Sequence, residues 1–260
     1  MEKTMINDLT TGSVGKELLR FSFPFMLSNA LQTVYNLVDM VVVGQFAGSA
    51  GLTAVSLGGQ ITWLLSCLAI GYASGGQIFI SQLVGTRDHE GIRRTIGTLF
   101  TTELIASIVF GILGIVFCNP LLSIMNTPDA VWADARSYTI ICCCGMVFIY
   151  GYNAVCAILR GMGESKLPMI FIAIASAVNL VLDVVFVAGF HMRAAGADLA
   201  TVIAQGVSFV ISVIYLYKNR ARFGFDFKLH SFKPNKERLV PICKLGIPYI
   251  AQWLLITCSM

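Results

Sequence analysis

The chain has 260 residues, of which 56% are hydrophobic and only 12% are Asp, Glu, Lys or Arg. Soluble domains carry about a quarter charged residues, and the core of a soluble chain of this length is too small to bury so much apolar surface. The composition excludes a disordered protein, a small secreted protein and an ordinary cytosolic enzyme. It leaves a polytopic membrane protein. The net charge of +4 comes from basic residues between apolar segments, so we expect no nucleic-acid partner.

Apolar stretches long enough to cross a bilayer follow one another along the chain. A span needs about 20 predominantly apolar residues, and the alternation of a barrel strand is missing. The predicted fold class is an all-α polytopic membrane protein with a six-helix transmembrane lobe and a truncated seventh helix. The predicted spans are Phe21–Phe46, Ala54–Val84, Ile96–Cys118, Tyr138–Leu159, Leu167–Phe190, Leu199–Tyr217 and, running to the end, Leu245–Met260.

Basic residues are distributed unevenly between the two sides of these spans. A cytoplasmic amino terminus places 16 of the 18 basic residues inside and only Arg136 and Arg193 outside. Such an asymmetry is typical of membrane proteins whose basic loops stay in the cytoplasm. The sequence therefore predicts a multi-pass protein of the plasma membrane (the bacterial inner membrane) with a cytoplasmic amino terminus. The inside set comprises Lys3, Lys16, Arg20, Arg87, Arg93, Arg94, Arg160, Lys166, Lys218, Arg220, Arg222, Lys228, Lys233, Lys236, Arg238 and Lys244.

One long polar segment, Tyr217–Leu239, divides the chain into two units. After it, Lys244 and Pro248 repeat the spacing of Arg20 and Pro24 in otherwise apolar sequence. We therefore expect residues 1–217 to form an amino-terminal six-helix lobe, 218–241 a basic cytoplasmic linker and 242–260 the start of a carboxy-terminal lobe. An even number of helices per lobe gives both lobes the same orientation across the membrane.

Three acidic residues that fall inside spans are candidates for function: Asp39, Glu103 and Asp183. A charged side chain at the bilayer centre costs about 2.5–3.5 kcal/mol even on the lenient insertion scale. The predicted spans contain no Lys or Arg to pair with these acids. An unpaired buried carboxylate takes up a proton or binds a cation, so Asp39 and Asp183 are candidate ion-coupling residues. Glu103 lies nearer the cytoplasmic end of its span, within reach of the interface.

Polar stripes run along four of the predicted helices. At about 100° per residue, each of the three longer stripes covers an arc of no more than about 80°, too narrow to be scattered around the helix. We expect the stripes to converge on a cavity, with Asn36, Gln32 and Gln205 as lining residues. Hydrogen bonding between helices is the alternative, above all for Gln205 and Ser208. The stripes are Asn29, Gln32, Asn36 and Asp39; Tyr150 and Asn153; Ser176, Asn179 and Asp183; and Thr201, Gln205, Ser208 and Ser212.

Proline, glycine and cysteine add structural expectations. Pro24 lies one turn into the first span, where it is either an early-helix proline or a hinge for the helix that carries Asp39. The spacings Gly44-x-x-x-Gly48 and Gly71-x-x-x-Gly75 predict close helix packing. The eight cysteines have no metal-type spacing and are expected to act as small apolar fillers.

Several sequence blocks together resemble the multidrug and toxic compound extrusion (MATE) transporters. They occur in family order over the first 210 residues. The resemblance departs at Asp198, where the family usually has a small residue; we expect this position to lie outside the site. The blocks are Val38–Gly44, Ser81–Gly85, Ile158–Met169, Asn179–Asp183 and Gly196–Thr201.

The resemblance implies about half of a twelve-helix, two-lobe antiporter rather than an enzyme. Such a transporter exports organic, often cationic, compounds in exchange for H+ or Na+, with no cofactor besides the coupling ion. Its expected partners are a small organic substrate, the lipid bilayer and the carboxy-terminal lobe. The resemblance also implies that the first helix bends near Pro24 on protonation. The cation site maps to Asp39, Tyr35, Asn153, Asn179, Asp183 and Thr201, and a Na+ ion would use Asp39, Asn179, Asp183 and Thr201.

Two other functions compete with this interpretation. A flippase for lipid-linked precursors, from the same superfamily, would need cationic residues in its cavity to hold phosphate, and the spans lack them. A non-transporting six-helix scaffold has no need of buried acids. A membrane enzyme is disfavoured because no nucleophile–base pair or metal cluster is visible. The sequence does not choose between H+ and Na+ and does not name the substrate.

Overall fold

The computed structural model describes residues 13–220, residue 225 and residues 229–258. The regular elements in these ranges are all helical. Lys3, Arg222, Lys228 and the last two residues of the predicted seventh span lie outside them. The helices are α1 (Val14–Gly85), α2 (His89–Val116), α3 (Cys118–Ile124), α4 (Asp129–Gly161), α5 (Lys166–Asp183), a π-helix (Val184–Gly189), α6 (Arg193–Lys218), a 3₁₀ turn (Leu229–Phe232) and α7 (Lys236–Cys258).

The first two predicted spans lie in α1, which is divided into two arms at Gly48. This glycine has φ 68° and ψ −169°, a conformation that a residue with a side chain rarely adopts. Val43 and Val55 belong to one buried cluster, whereas Leu31 and Ala73 belong to another. The arms therefore run antiparallel. The expectation that Gly44 and Gly48 form a packing motif is wrong, because a Cβ on either would have no neighbour within 4 Å.

The remaining apolar segments form helices that begin earlier than their hydropathy indicates. α4 begins at Asp129 rather than Tyr138, and α6 begins at Arg193 rather than Leu199. A polar first turn needs no lipid contact, and an acidic residue there suits the positive end of the helix dipole. Five helical segments in the described ranges are long and apolar enough to cross a membrane: Leu18–Gly85, His89–Val116, Asp129–Gly161, Lys166–Gly189 and Arg193–Lys218. The chain is a multi-pass helical membrane protein.

The middle of the bundle is α4, which packs against α1, α2 and α6. Its buried face includes Met146, Tyr150 and Leu159, each no more than 1% exposed. Glycines allow close approach: a Cβ on Gly145 would lie 2.5 Å from Val202 Cγ2 of α6. This packing brings polar residues of α1, α5 and α6 around one side of α4.

α7 packs against the second arm of α1 through the second glycine pair. A Cβ on Gly71 would lie 2.2 Å from Ile250 Cγ1, and one on Gly75 would lie 2.3 Å from the Ile242 carbonyl oxygen. The close packing expected of Gly71 and Gly75 is confirmed. The helix begins at Lys236, before the expected start at Leu245. At its first turn, Asn235 Oδ1 accepts a hydrogen bond from the Glu237 amide at 2.8 Å.

Candidate functional site

The two acids expected to couple ions lie side by side. Asp39 is on the first arm of α1, and Asp183 is the last residue of α5. Their carboxyl groups approach within hydrogen-bonding range of each other, and Asp183 is only 1% exposed. One oxygen of Asp39 and both of Asp183 are buried without a donor among the described residues. Two carboxyl groups this close do not both ionise unless a cation compensates them, so the pair suits a shared proton or a bound cation.

A π-helix begins directly after Asp183 and spans Val184–Gly189. Single π turns within α-helices are rare and occur frequently at functional sites. The turn packs against the start of α6, where a Cβ on Gly196 would lie 3.2 Å from the carbonyl carbon of Phe186. The π-helix thus holds the end of α5, with Asp183, against the first turns of α6. Hydropathy cannot reveal such a turn because α- and π-helices bury the same apolar residues.

A cavity with both polar and apolar side chains in its lining lies beside the acid pair. It has a volume of about 340 Å³ including its open mouth. Asn179 Nδ2 donates a hydrogen bond to Thr201 Oγ1 at 3.2 Å and thereby joins α5 to α6. Tyr35 lies next to both Asp39 and Asp183 and connects the cavity to the acid pair. The lining residues are Gln32, Tyr35, Tyr152, Ile172, Ala175, Ser176, Asn179, Thr201, Ala204 and Gln205.

The structure brings most, but not all, of the expected site residues to this cavity. Gln32 and Gln205 line it, and Gln205 Oε1 is buried without a hydrogen-bond donor in the described part of the chain. Asn36 is exposed and lies away from the lining. Asn153 is half-buried, and its Nδ2 donates to the Ile149 carbonyl of its own helix at 2.8 Å. The first arm of α1 therefore lines the cavity through Gln32 and Tyr35 rather than through its asparagines.

Pro24 is buried on the first arm of α1, and the helix continues through it. Ser28 Oγ donates to the Pro24 carbonyl at 2.8 Å. A proline removes one helix hydrogen bond, and a serine bonded back to the preceding turn favours a slight bend. The hinge role expected of Pro24 stays a prediction.

Asp198 is a third buried acid close to this site. It is 0% exposed, and neither carboxylate oxygen has a hydrogen-bond partner among the described residues. It lies beside Cys142 of α4 and within electrostatic range of Asp39. The expectation that Asp198 lies outside the site is wrong. Because α6 begins at Arg193, Asp198 is more than a full turn inside the helix instead of in the loop before it.

A known protein family matches the part of the chain that carries most of these site residues. The MatE family profile matches residues 24–185. That stretch is more than half of the chain and includes Pro24, Asp39, Asn179 and Asp183. The chain belongs to the MATE family. MATE proteins are transporters rather than enzymes, as the multidrug names and descriptions of the relatives also indicate.

Curated relatives of this MATE chain extend beyond it. A probable multidrug resistance protein, YpnP of Bacillus subtilis strain 168, is 33% identical over 97% of the chain, which covers 56% of YpnP. The multidrug export protein MepA of Staphylococcus haemolyticus strain JCSC1435 is 24% identical over 91% of the chain, which covers 52% of MepA. The chain thus spans about half the length of the curated relatives it matches.

Solved structures of MATE and related transporters share the fold. A multidrug resistance MATE family transporter of the MOP superfamily, in an outward-facing conformation, superimposes with a TM-score of 0.90 at 27% identity. The match covers 98% of the chain and 56% of that transporter. A MOP superfamily transporter from Pyrococcus furiosus, described as having a binding pocket of reverse polarity that suggests a different function, superimposes at 0.85 with 28% identity, over 98% of this chain and 56% of its own.

The surroundings of Glu103 also differ from those that the sequence predicts. It is 1% exposed, and both carboxylate oxygens are buried without a hydrogen-bond partner within the described ranges. The expectation that it lies within reach of the interface is wrong because α2 begins at His89, about 21 Å of helix before Glu103.

Helical periodicity in the sequence could have revealed the position of Asp198 but not the surroundings of Glu103. Asp198 extends the stripe of Thr201, Gln205 and Ser208 by one helical turn.

Proposed function

We propose that the chain is the amino-terminal lobe of a two-lobe antiporter that exports organic, often cationic, compounds in exchange for H+ or Na+. The observation that carries the proposal is the Asp39–Asp183 pair, in which one oxygen of Asp39 and both oxygens of Asp183 are buried without a donor in the described residues. A carboxyl pair in such surroundings is favourable only with a proton or cation bound, so its occupancy follows the ion gradient. The multidrug names of the relatives agree with an organic substrate.

The proposed cycle couples ion binding to movement of the first arm of α1. An H+ or Na+ ion enters from outside and binds at Asp39 and Asp183, where Tyr35, Asn179 and Thr201 supply further oxygen ligands nearby. Binding neutralises the pair and allows the arm to bend near Pro24. The movement weakens substrate binding and favours release to the outside. No cofactor takes part besides the coupling ion.

The expected membrane arrangement is part of the proposal. The first candidate span, Leu18–Gly85, has 68 residues and would measure about 100 Å as one straight helix, far more than a bilayer core of about 30 Å. We infer that its two antiparallel arms cross separately, which gives six crossings in residues 1–217 and a cytoplasmic amino terminus in the bacterial inner membrane. Residues 218–241, the last six of which already belong to α7, then form the cytoplasmic linker, and 242–260 begin the carboxy-terminal lobe, the remaining expected partner.

The decisive test is Asp39→Asn in the two-lobe protein, reconstituted in vesicles with imposed pH or Na+ gradients. We expect gradient-driven export of a fluorescent organic cation to fall about tenfold or more, because the pair loses one of its two carboxyl groups. The matched control is Asp129→Asn, which removes an exposed carboxylate from the start of α4. Undiminished export by Asp39→Asn would remove the role given to the acid pair.

The same vesicles separate the competing functions. Export that follows a pH gradient without Na+ identifies H+ as the coupling ion, and the reverse identifies Na+. Movement of a lipid-linked phosphate without export of organic cations would identify a flippase. Among the described residues that line the cavity there is no Lys or Arg to hold phosphate. Absence of any flux in correctly inserted protein would identify a scaffold.

A further inference from the structure

Asp198 has surroundings that neither solvate nor neutralise its carboxylate. It is 0% exposed in the first turns of α6, and neither oxygen has a partner among the described residues. The polar groups around it come from two helices: Asp39 on the first arm of α1, and Tyr138, Cys142 and Cys143 on α4; Thr62, on the second arm of α1, lies beside Cys142. None of these groups is basic.

The neighbouring hydroxyl and thiol groups do not replace water around Asp198. Thr62 Oγ1 is 3.2 Å from the Gly58 carbonyl and 3.1 Å from the Gly59 carbonyl, so its proton is directed to its own helix. The Cys142 thiol is a weak donor, and it approaches the carboxylate without a well-aligned hydrogen bond. The acid is therefore stable in this conformation only in its neutral form.

The type of cation follows from the arrangement of the ligands. Within the described residues, Asp198, Asp39 and Asp183 do not form a group of three side chains that could hold a metal ion together. A proton needs only one oxygen, so it is the cation that Asp198 can carry alone. Asp198 is also close enough to Asp39 for their charges to repel. Ionisation of one acid therefore opposes ionisation of the other.

We propose that Asp198 is a third ion-coupling carboxyl group of this lobe, which carries a proton in addition to the cation on the Asp39–Asp183 pair. The proposal rests on the proposed antiport function and extends its stoichiometry. When the site opens outward, an O–H bond forms at Asp198 with a proton from the outer solution. When substrate binds from the inside, that bond breaks and the proton passes to the cytoplasmic solution. The step needs no electron transfer, and the negative charge left on the carboxylate favours a cationic substrate.

The test compares coupling ratios in the reconstituted two-lobe protein. The ratio is obtained from the substrate gradient that just stops net flux at a fixed proton gradient and membrane potential. We expect Asp198→Asn and Asp198→Ala to keep substrate export but to move about one proton fewer per substrate than the wild type, because one protonatable group is lost. Asp129→Asn, an exposed carboxylate at the start of α4, should leave the ratio unchanged. An unchanged ratio in both Asp198 variants overturns the proposal.

A second measurement addresses variants that insert but do not transport. Difference infrared spectra of the purified wild type, with and without the organic cation, should show loss of a protonated carboxyl band on substrate binding. The part of that band due to Asp198 should be missing in Asp198→Asn and retained in Asp129→Asn. A band identical in wild type and Asp198→Asn contradicts the proposal even without flux data. Failure of Asp39→Asn to affect export would instead overturn the antiport function, so the two failures are distinguishable.

Discussion

The acid pair on α1 and α5 and the one buried acid of α2 that the structure describes, Glu103, both lie inside the bundle, yet their neighbours differ. Asp39 and Asp183 face each other, and Asp198 lies close to Asp39. Glu103 instead lies near the hydroxyl groups of Tyr72 and Tyr150. Tyr150 donates to the Leu65 carbonyl at 2.8 Å, and Tyr72 is 2.7 Å from Thr102 Oγ1.

The difference shows that burial alone does not make an acid an ion-coupling residue. A lone carboxyl group surrounded by apolar and hydroxyl groups has one stable form, the protonated one, at every stage of a cycle. Neighbouring carboxyl groups influence each other, so the charge of the cluster changes in steps as ions bind and leave. We therefore expect Glu103 to act as a neutral packing group and the acids around Asp39 to exchange ions.

The largest expected effect is the loss of transport when Asp183 is replaced by a neutral residue. Asp183→Asn removes one of the two carboxyl groups that hold the cation together, so gradient-driven export should fall about tenfold or more. Export is measured with the same fluorescent cation in vesicles. Asp134→Asn, on a partly exposed carboxylate 3.8 Å from Arg193, is the matched control. Comparable losses in both variants would argue against a special role for the pair.

The next largest expected effect is a loss of stability when the side chain of Glu103 is removed. Glu103→Ala leaves a cavity in a fully buried site between α2 and α4, and we expect it to lower the free energy of unfolding by about 2–4 kcal/mol. The measurement is the unfolding temperature of the detergent-purified protein. Glu90→Ala, at an exposed position that pairs with Arg94, should change it much less because exposed ion pairs contribute little. An equal change in both variants would contradict the packing role.

A smaller effect is expected where α5 meets α6. Thr201→Val removes the acceptor of the Asn179 hydrogen bond while it preserves the side-chain shape, at a cost of about 1 kcal/mol. We expect the ion concentration needed for half-maximal export to rise roughly fivefold. Thr53→Val, whose exposed hydroxyl donates to the Ser49 carbonyl of its own helix, serves as the control. An unchanged ion dependence would place Thr201 outside the coupling site.

The smallest effect is expected of Glu103→Gln. The amide resembles a protonated carboxyl group in size and polarity, so export and its ion dependence should stay within about twofold of the wild type. Side by side with Asp39→Asn, this variant tests the contrast between the two regions directly. A loss of export as large as that of Asp39→Asn would show that Glu103 also exchanges ions and would abolish the distinction.

Much of the fold and part of the site could be predicted from the sequence. Hydrophobic run length located the helices because lipid forces backbone groups to bond within a segment. Low charge content made Asp39 and Asp183 conspicuous, and helical periodicity placed Gln32, Asn179 and Thr201 on inward faces. Periodicity also placed Asn36 inward, where the structure leaves it exposed. Asn36 lies in the same arc as Gln32 and Asp39, and helical position alone does not reveal which residues of an arc contact a neighbouring helix.

Other features depended on tertiary structure. The sequence by itself determined the helical class, the membrane setting and the lack of Lys or Arg in the spans that carry Asp39 and Asp183, because these follow from local composition and hydrogen bonding. Only the packed structure decided that α1 turns back at Gly48, that a π turn follows Asp183 and that Asp198 lies next to Cys142 instead of in a loop. Those outcomes depend on contacts between residues far apart in the chain, and local hydropathy contains no information about which helices will meet.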